Sequence, residues 1–437
     1  MRGGIGSLAI KATHIALMMV VSIVLARALG PSEFGIYAFS LVLAETLTVP
    51  AQFGTPQLVV RETAKRLVTR DYASVKAVWL WGAGLAAVAS VSVNGLVLAV
   101  IWSGAVLLEP ERLAPVLVGL VIVPLLALAR VFSAAIRGLG SVICGQLPHL
   151  VIRPLVFLCV VGLLLIIVDD FTFTALSTIT LQALVTAGAL LIALTALVRI
   201  APPEISRVTG CWHSRGAWFR AALPMLFIAG LQVLNMNMSI LMLGFLDSNR
   251  AVGTFRAAAQ LGTVVVFARQ AISQILQPHL ARLHAEGDKK RLQAIMTRSA
   301  QVVTGVALVL ALFLFVFAKP VLDGFFGADY ESGHLALRIL AVGQFLTAAM
   351  GPVVLLLNMT GHEKDSLEGV ALAALVNVTL SLSLIPIYGT AGAAAATVGA
   401  MIVWNGVLAR RVYKRLGLVS LAIPIPGQNK ATDGYNS

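Results

Sequence analysis

Apolar residues fall in long runs along this chain, and charged residues collect in the short stretches between them. About twenty consecutive apolar residues cross a bilayer as a helix. Twelve such runs stand at roughly 8–28, 36–58, 77–105, 113–136, 144–168, 174–198, 221–246, 251–276, 300–322, 335–357, 367–386 and 390–409. They predict an all-α polytopic membrane protein of about twelve transmembrane helices. The third run is long and contains Asn94-Gly95, which softens its limits. The fifth carries Pro148 and Pro154, which predict a kink.

The stretch Leu25–Glu62 shows the pattern at its clearest. An apolar run ends at Arg27, Gly30-Pro31-Ser32 forms a tight turn, and a second apolar run extends to the charged Arg61-Glu62. This describes a transmembrane helical hairpin closed by a basic cluster. Sliding the chain by roughly half its length lays Phe34-Gly35-Ile36-Tyr37 on Val252-Gly253-Thr254-Phe255, Leu25 on Leu243 and Gln52 on Gln270. Such an echo predicts two copies of one helical bundle, a common plan among secondary transporters, which place the substrate site between the copies.

Composition agrees. Of 437 residues, 59% are hydrophobic and 12% charged, with mean hydropathy +0.92; soluble domains average about 25% charged. The net charge of +13 follows from the distribution of Lys and Arg. With the N-terminus inside, the cytoplasmic loops hold Arg61, Lys65, Arg66, Arg70 and Lys76, then Arg130 and Arg137, then Arg199, Arg207, Arg215 and Arg220. They also hold Arg282, Lys289, Lys290, Arg291 and Arg298, and finally Arg410, Arg411, Lys414 and Arg415. The opposite side carries acids such as Glu33, Glu109, Glu111, Asp247 and Asp329. This is the positive-inside bias, with both termini cytoplasmic. It leaves no soluble basic domain to grip nucleic acid.

The loop from Arg199 to Arg220, with Pro202-Pro203, sits at the chain's midpoint. It divides an N-terminal six-helix bundle (1–198) from a C-terminal one (221–415). Six is even, so the bundles share orientation and relate by an axis along the membrane normal. The tail, 416–437, is polar and reads as disordered. Cys144, Cys159 and Cys211 lack metal-ligand spacing and are an odd number, so neither a metal site nor a disulfide framework is expected. Residues 1–28 mimic a signal peptide, but Lys11 and His14 interrupt the front half and another helix follows at once, which favours an uncleaved first span.

ALGPSEFGIYAF and the following QLVVRE resemble the opening of the polysaccharide-export flippases, lipid-linked-oligosaccharide translocases of the multidrug/oligosaccharidyl-lipid/polysaccharide superfamily. PMLFIAGLQVLNMNMSILMLGFLDSNRAVGTF resembles that family's seventh helix and next turn, and DGFFGADYESGHLALRILAVGQFL its ninth-to-tenth connection. NMTGHEKD with LVNVTLSLSLIPIYGTAGAAAATVGA resembles the eleventh and twelfth helices. The resemblance implies a central basic cavity between the bundles, a bacterial inner-membrane location, and a lipid-linked oligosaccharide substrate moved by alternating access. It also implies contact with bilayer lipids and with a polysaccharide polymerase or other assembly proteins, and no cofactor.

An ionisable group at membrane depth is expensive and normally faces the bundle interior. Arg153 lies in the fifth run with His149 one turn earlier; Arg269-Gln270 and Arg256 lie in the eighth, Glu45 in the second, and Lys11 and His14 in the first. Arg153, Arg269, Arg256, Lys11 and His149 are candidates for an anionic headgroup, since guanidinium binds phosphate oxygens bidentately. Lys11 and Arg256 also fit snorkelling to an interface, and Arg153 or Arg269 also fits a structural pair with Glu45. Glu45 suits either a coupling proton or the counter-charge of an arginine. Gln270, Asn235 and Asn237 are polar cavity candidates, the asparagines contacting sugar hydroxyls or bonding helices together. Many relatives carry an acid in the seventh helix; here Met238 and Ser239 follow the asparagines instead.

Two other readings stand beside a flippase. A proton- or sodium-driven multidrug exporter of the same superfamily would need a committed buried carboxylate, and Glu45 is the one that qualifies. A membrane glycosyltransferase or ligase would use an acidic pair such as Asp169-Asp170 to hold a metal, in a loop that looks too short for an active site. No nucleotide loop, zinc motif or nucleophile elbow is present, and no enzyme activity is expected.

Overall fold

The computed structural model describes residues 2–105, 109–167, 173–266, 289–359 and 363–418, and among these all regular secondary structure is helical. Its main helices are α1 (Arg2–Gln52), α2 (Thr55–Val68), α3 (Tyr72–Trp102), α4 (Pro110–Gly138), α5 (Val142–Ile167) and α6 (Ala175–Ile200). There follow α7 (Arg215–Leu246), α8 (249–266), α9 (Lys289–Val316), α10 (His334–Ala349), α11 (Val353–Met359) and α12 (Glu363–Leu416).

Eight helices of the described residues are long and apolar enough to cross a membrane. Two of these are double spans. Gly30 (φ 72, ψ 170) bends α1, with Pro31 set to open the second limb, and Gly389 (φ 52, ψ −126) bends α12. The polar turn expected at Gly30-Pro31-Ser32 is thus one residue wide. The eighth apolar run is described only to residue 266. The tenth is broken at Gly351 (φ 75) into α10 and α11.

The second run ends sooner than its sequence suggests. It does not reach Arg61-Glu62: Phe53 (φ 48) and Gly54 (φ 68) turn the chain after Gln52, and α2 starts anew. α2 is short and two-faced. Leu58, Val59 and Thr63 are buried, and Lys65 and Arg66 lie in its last turn, where cations suit the helix dipole. Asp71 then caps α3 by accepting the Ser74 backbone N–H at 3.1 Å. In α5 Pro148 opens a π-helical turn, Pro148–Ile152, and Arg153 and Pro154 follow it at the start of the α-helical remainder.

The chain divides into two compact units, Met1–Arg256 and Ala257–Ser437. In the first, α4 is central: it packs on α1, α2, α3 and α6, burying Val123, Leu126, Ala127 and Ala134. α3 turns Val88, Val91 and Leu96 outward, as a lipid-facing helix should. α7 packs on α1 and α2. The segment ahead of α7 is tied down as well, since Lys76 donates to the Ser206 and Val208 carbonyls at 3.0 and 2.8 Å and Arg66 to Ser214 at 3.2 Å. In the second unit α9, α11 and α12 bury Met296, Leu356, Leu357, Leu408 and Val412 together.

Candidate functional site

Arg153 follows the π-helical turn of α5, a local widening often found at functional positions. Its side chain is almost wholly buried, and three helices converge on it. From α6, Gln182 turns its amide oxygen toward the guanidinium and accepts from Nε and Nη2 at 3.1 Å each. From α1, Glu45 stands 3.9 Å from Nη2, and its side chain is a third exposed while that of Arg153 is 8% exposed. Among the described residues Nη1 has no hydrogen-bond partner, so part of the donor fork is unused.

Further charged groups surround this pair. Arg130 of α4 lies within electrostatic reach of both Glu45 and Arg153. Buried Tyr37 is close to Arg153, Glu45 and Arg256. His149 neighbours Arg153, Arg130 and His14, and the His14 ring lies 2.8 Å from the Leu150 carbonyl through Nδ1. Two guanidiniums, those of Arg153 and Arg130, thus lie about one carboxylate, Glu45, and Arg256 lies within electrostatic reach of Tyr37 beside them. The site is cationic before the histidines are counted. Beside Arg153, between α5 and α6, is a groove of about 310 Å³ lined by apolar side chains including Val156, Val160, Leu184 and Ile192.

The structure therefore brings together Arg153, His149 and Glu45 of the sequence-derived candidates, with Arg256 within electrostatic reach of the adjoining Tyr37. The Glu45–Arg153 pair is the helix–helix contact that the alternative reading of Arg153 describes, and it belongs to a larger cationic cluster. Lys11 is exposed, and no contact joins it to the cluster among the described residues. Asn237 donates to Thr46 at 3.1 Å, tying α7 to α1 one residue from Glu45, while Asn235 donates to the Leu231 carbonyl of its own helix at 3.0 Å. Arg269, Gln270 and the Asp169-Asp170 pair lie outside the described residues.

Three members of the cluster were not foreseen. Arg130 counts with the cytoplasmic loops by charge bias, but it sits two turns inside the end of α4, within electrostatic reach of Glu45. Its place inside the fourth apolar run, 113–136, was the available signal. Gln182 is a polar residue in an otherwise apolar run, a weaker signal of the same kind. Tyr37 carries none, because a tyrosine in an apolar run is ordinary packing until its neighbours are known.

This arrangement of bent double spans and broken helices is the fold of the polytopic transporters of the MOP superfamily. The chain superposes on an inward-facing multidrug resistance MATE family transporter of that superfamily with TM-score 0.74 and 16% identity, covering 95% of this chain and 98% of that one. It superposes on the lipid II flippase MurJ, inward closed, with TM-score 0.73 and 12% identity over 94% of this chain and 87% of the flippase. A MOP superfamily transporter from Pyrococcus furiosus follows at TM-score 0.60 and 15% identity, with 93% of each chain covered. Comparison with curated proteins gives no match. The chain belongs to the polysaccharide biosynthesis protein family, whose model matches residues 24–333. It is a multi-pass membrane protein.

Proposed function

We propose that this protein is a flippase that moves a polyprenyl-pyrophosphate-linked oligosaccharide across the bacterial inner membrane by alternating access, for assembly of a surface polysaccharide. The observation that carries the reading is the cationic cluster around Arg153. Its surplus of positive charge suits the negative charge of a diphosphate diester. A buried guanidinium with donors to spare suits the phosphate oxygens. The saccharide passes through the protein while the hydrocarbon tail stays in the bilayer. The location, with both termini cytoplasmic, and the contact with a polysaccharide polymerase belong to the same proposal.

The multidrug exporter is the weaker reading. A pump for cationic drugs needs a carboxylate free to exchange a proton for the drug, whereas Glu45 already faces Arg153 and Arg130. The test is reconstitution in vesicles with a short-chain prenyl diphosphate disaccharide as probe. Wild-type protein should carry the probe's headgroup across, and Arg153→Ala should not. Because that change leaves Glu45 without its partner, Glu45→Gln/Arg153→Ala is the matched control for folding. Equal transport by the double variant and the wild type would remove the cluster from the mechanism. No transport of the probe by well-folded wild type would remove this substrate class.

A further inference from the structure

The groove between α5 and α6 has Arg153 in its wall, and every other residue that lines it is apolar. Ile152, Val156 and Val160 form a row on the α5 side, and Leu184, Gly188 and Ile192 a row on the α6 side. Residues four apart stack on one face of a helix, so each row follows its helix axis. Each row covers a rise of about 12 Å. That is a trough for a length of chain rather than a pocket for a compact ligand.

The trough is open at Gly188. A Cβ built there meets nothing within 4 Å, so no packing inside the chain calls for glycine at a position where it weakens the helix. Val156 and Leu184 in the groove, and Leu163 and Leu191 near it, are exposed, as on helix faces that meet hydrocarbon. Arg153, by contrast, is 7% exposed. Gln182 and Glu45 engage its Nε and Nη2, and Nη1 has no partner among the described residues. A hydrocarbon chain bonded directly to a phosphate satisfies both halves of the site. Depth then separates a substrate from a resident bilayer lipid. Arg153 lies 11 residues from the start of α5 and 14 from its end, about 16 and 21 Å along the axis. It therefore stands near the middle of a hydrocarbon core about 30 Å thick. A phospholipid keeps its phosphate at the surface, whereas a phosphate at this depth is one being carried across.

We propose that this groove seats the first isoprene units of the lipid substrate while the attached phosphate lies against Arg153, midway through the crossing. This placement rests on the flippase reading and adds to it where the chain lies. Lipid tails are as apolar as leucine, so moving from bilayer to groove gains little hydrophobic energy. What the groove supplies is orientation. Close contact with the branched Val156, Val160 and Ile192 holds the chain by dispersion. A chain held there aims its phosphate at the guanidinium, and that preorganisation favours binding at the midpoint.

The first test fills the groove with Gly188→Leu, whose Cβ has room, and leaves every member of the cluster in place. Gly188→Ala is the control for the change in the helix itself. In vesicles, Gly188→Leu should slow initial transport of the short-chain prenyl diphosphate disaccharide by about tenfold or more, and Gly188→Ala should match the wild type. Inorganic pyrophosphate, which has no chain, should bind all three alike by titration calorimetry. Wild-type transport by Gly188→Leu would overturn the proposal. So would a loss of pyrophosphate binding as large as the loss of transport, which would trace the defect to the cluster. The second test puts a photoreactive group in the first isoprene unit of the same probe. Irradiation should join it to groove residues of α5 and α6 in the wild type, mapped by mass spectrometry, and Gly188→Leu should remove that labelling. Labelling confined to other helices would overturn the proposal. A well-folded wild type that carries no probe would sink the substrate reading and this placement with it, whereas equal transport by wild type and Gly188→Leu would sink the placement alone.

Discussion

Arg153 does its work through what its donors meet. Lysine would keep the charge but lose the fork that Gln182 now holds through Nε and Nη2. Arg153→Lys should therefore reduce transport by about tenfold or more, consistent with loss of charge-assisted hydrogen bonds worth roughly 1.5–3 kcal/mol each, while the protein stays in the membrane; initial rates in reconstituted vesicles would check this. Glu45→Gln should do the reverse for binding. Removing the carboxylate beside Arg153 and Arg130 strengthens the pull on an anion, and inorganic pyrophosphate should bind more tightly by titration calorimetry. Outside the membrane, Asp71 gives a sharper pH statement. Hydrogen bonding by Ser74 and then the Arg66 guanidinium holds its carboxyl below the usual range. A depressed carboxylate contributes stability above its unfolded value of about 3.9, and that contribution fades as pH falls through the lower folded value. Asp71→Ala should cost about 1 kcal/mol as a lost cap. Thermal unfolding in detergent should show a smaller difference from wild type at pH 3 than at pH 7.

The elements follow from local rules, with exceptions that have local causes. Gly30 at φ 72 and ψ 170 occupies a region open essentially to glycine alone, and a Cβ there would meet nothing within 4 Å. Gly30→Ala thus isolates backbone strain from crowding and should cost about 1–3 kcal/mol, measured as a fall in thermal stability in detergent. The apolar runs revealed where helices lie, since hydropathy depends only on composition within a window. They overran the end of α1 because Phe53 and Gly54 interrupt the helix without interrupting the hydrophobicity. α2 was missed for the same reason: Leu58, Val59 and Val60 continue the apolar run, and its polar face becomes visible only when it is counted as a separate helix. In the break at Gly389, by contrast, the gap between the runs 367–386 and 390–409 marked the bend directly.

At the scale of the whole molecule, two stretches that echo each other along the sequence touch at Gly35 and Gly253. A Cβ on either glycine would strike the backbone of the other stretch, so Gly35→Ala and Gly253→Ala should have matched destabilising effects, read as thermal stability in detergent. A clearly unequal pair would mean that the contact is not equivalent on its two sides. The sequence by itself determined the class of this protein, the approximate places of its long apolar helices, and the existence of an internal echo. These follow from bilayer thickness, the cost of bare backbone in lipid and repetition along a chain, all of which are one-dimensional. It also supplied Arg153, Glu45, His149 and Arg256 as exceptional residues. Only the tertiary structure decided which charges meet, that Arg130, Tyr37 and Gln182 join them, and that the echoing glycines touch. Contact between residues 218 apart depends on how helices cross, and crossing is fixed by side-chain shape in three dimensions, which hydropathy does not record.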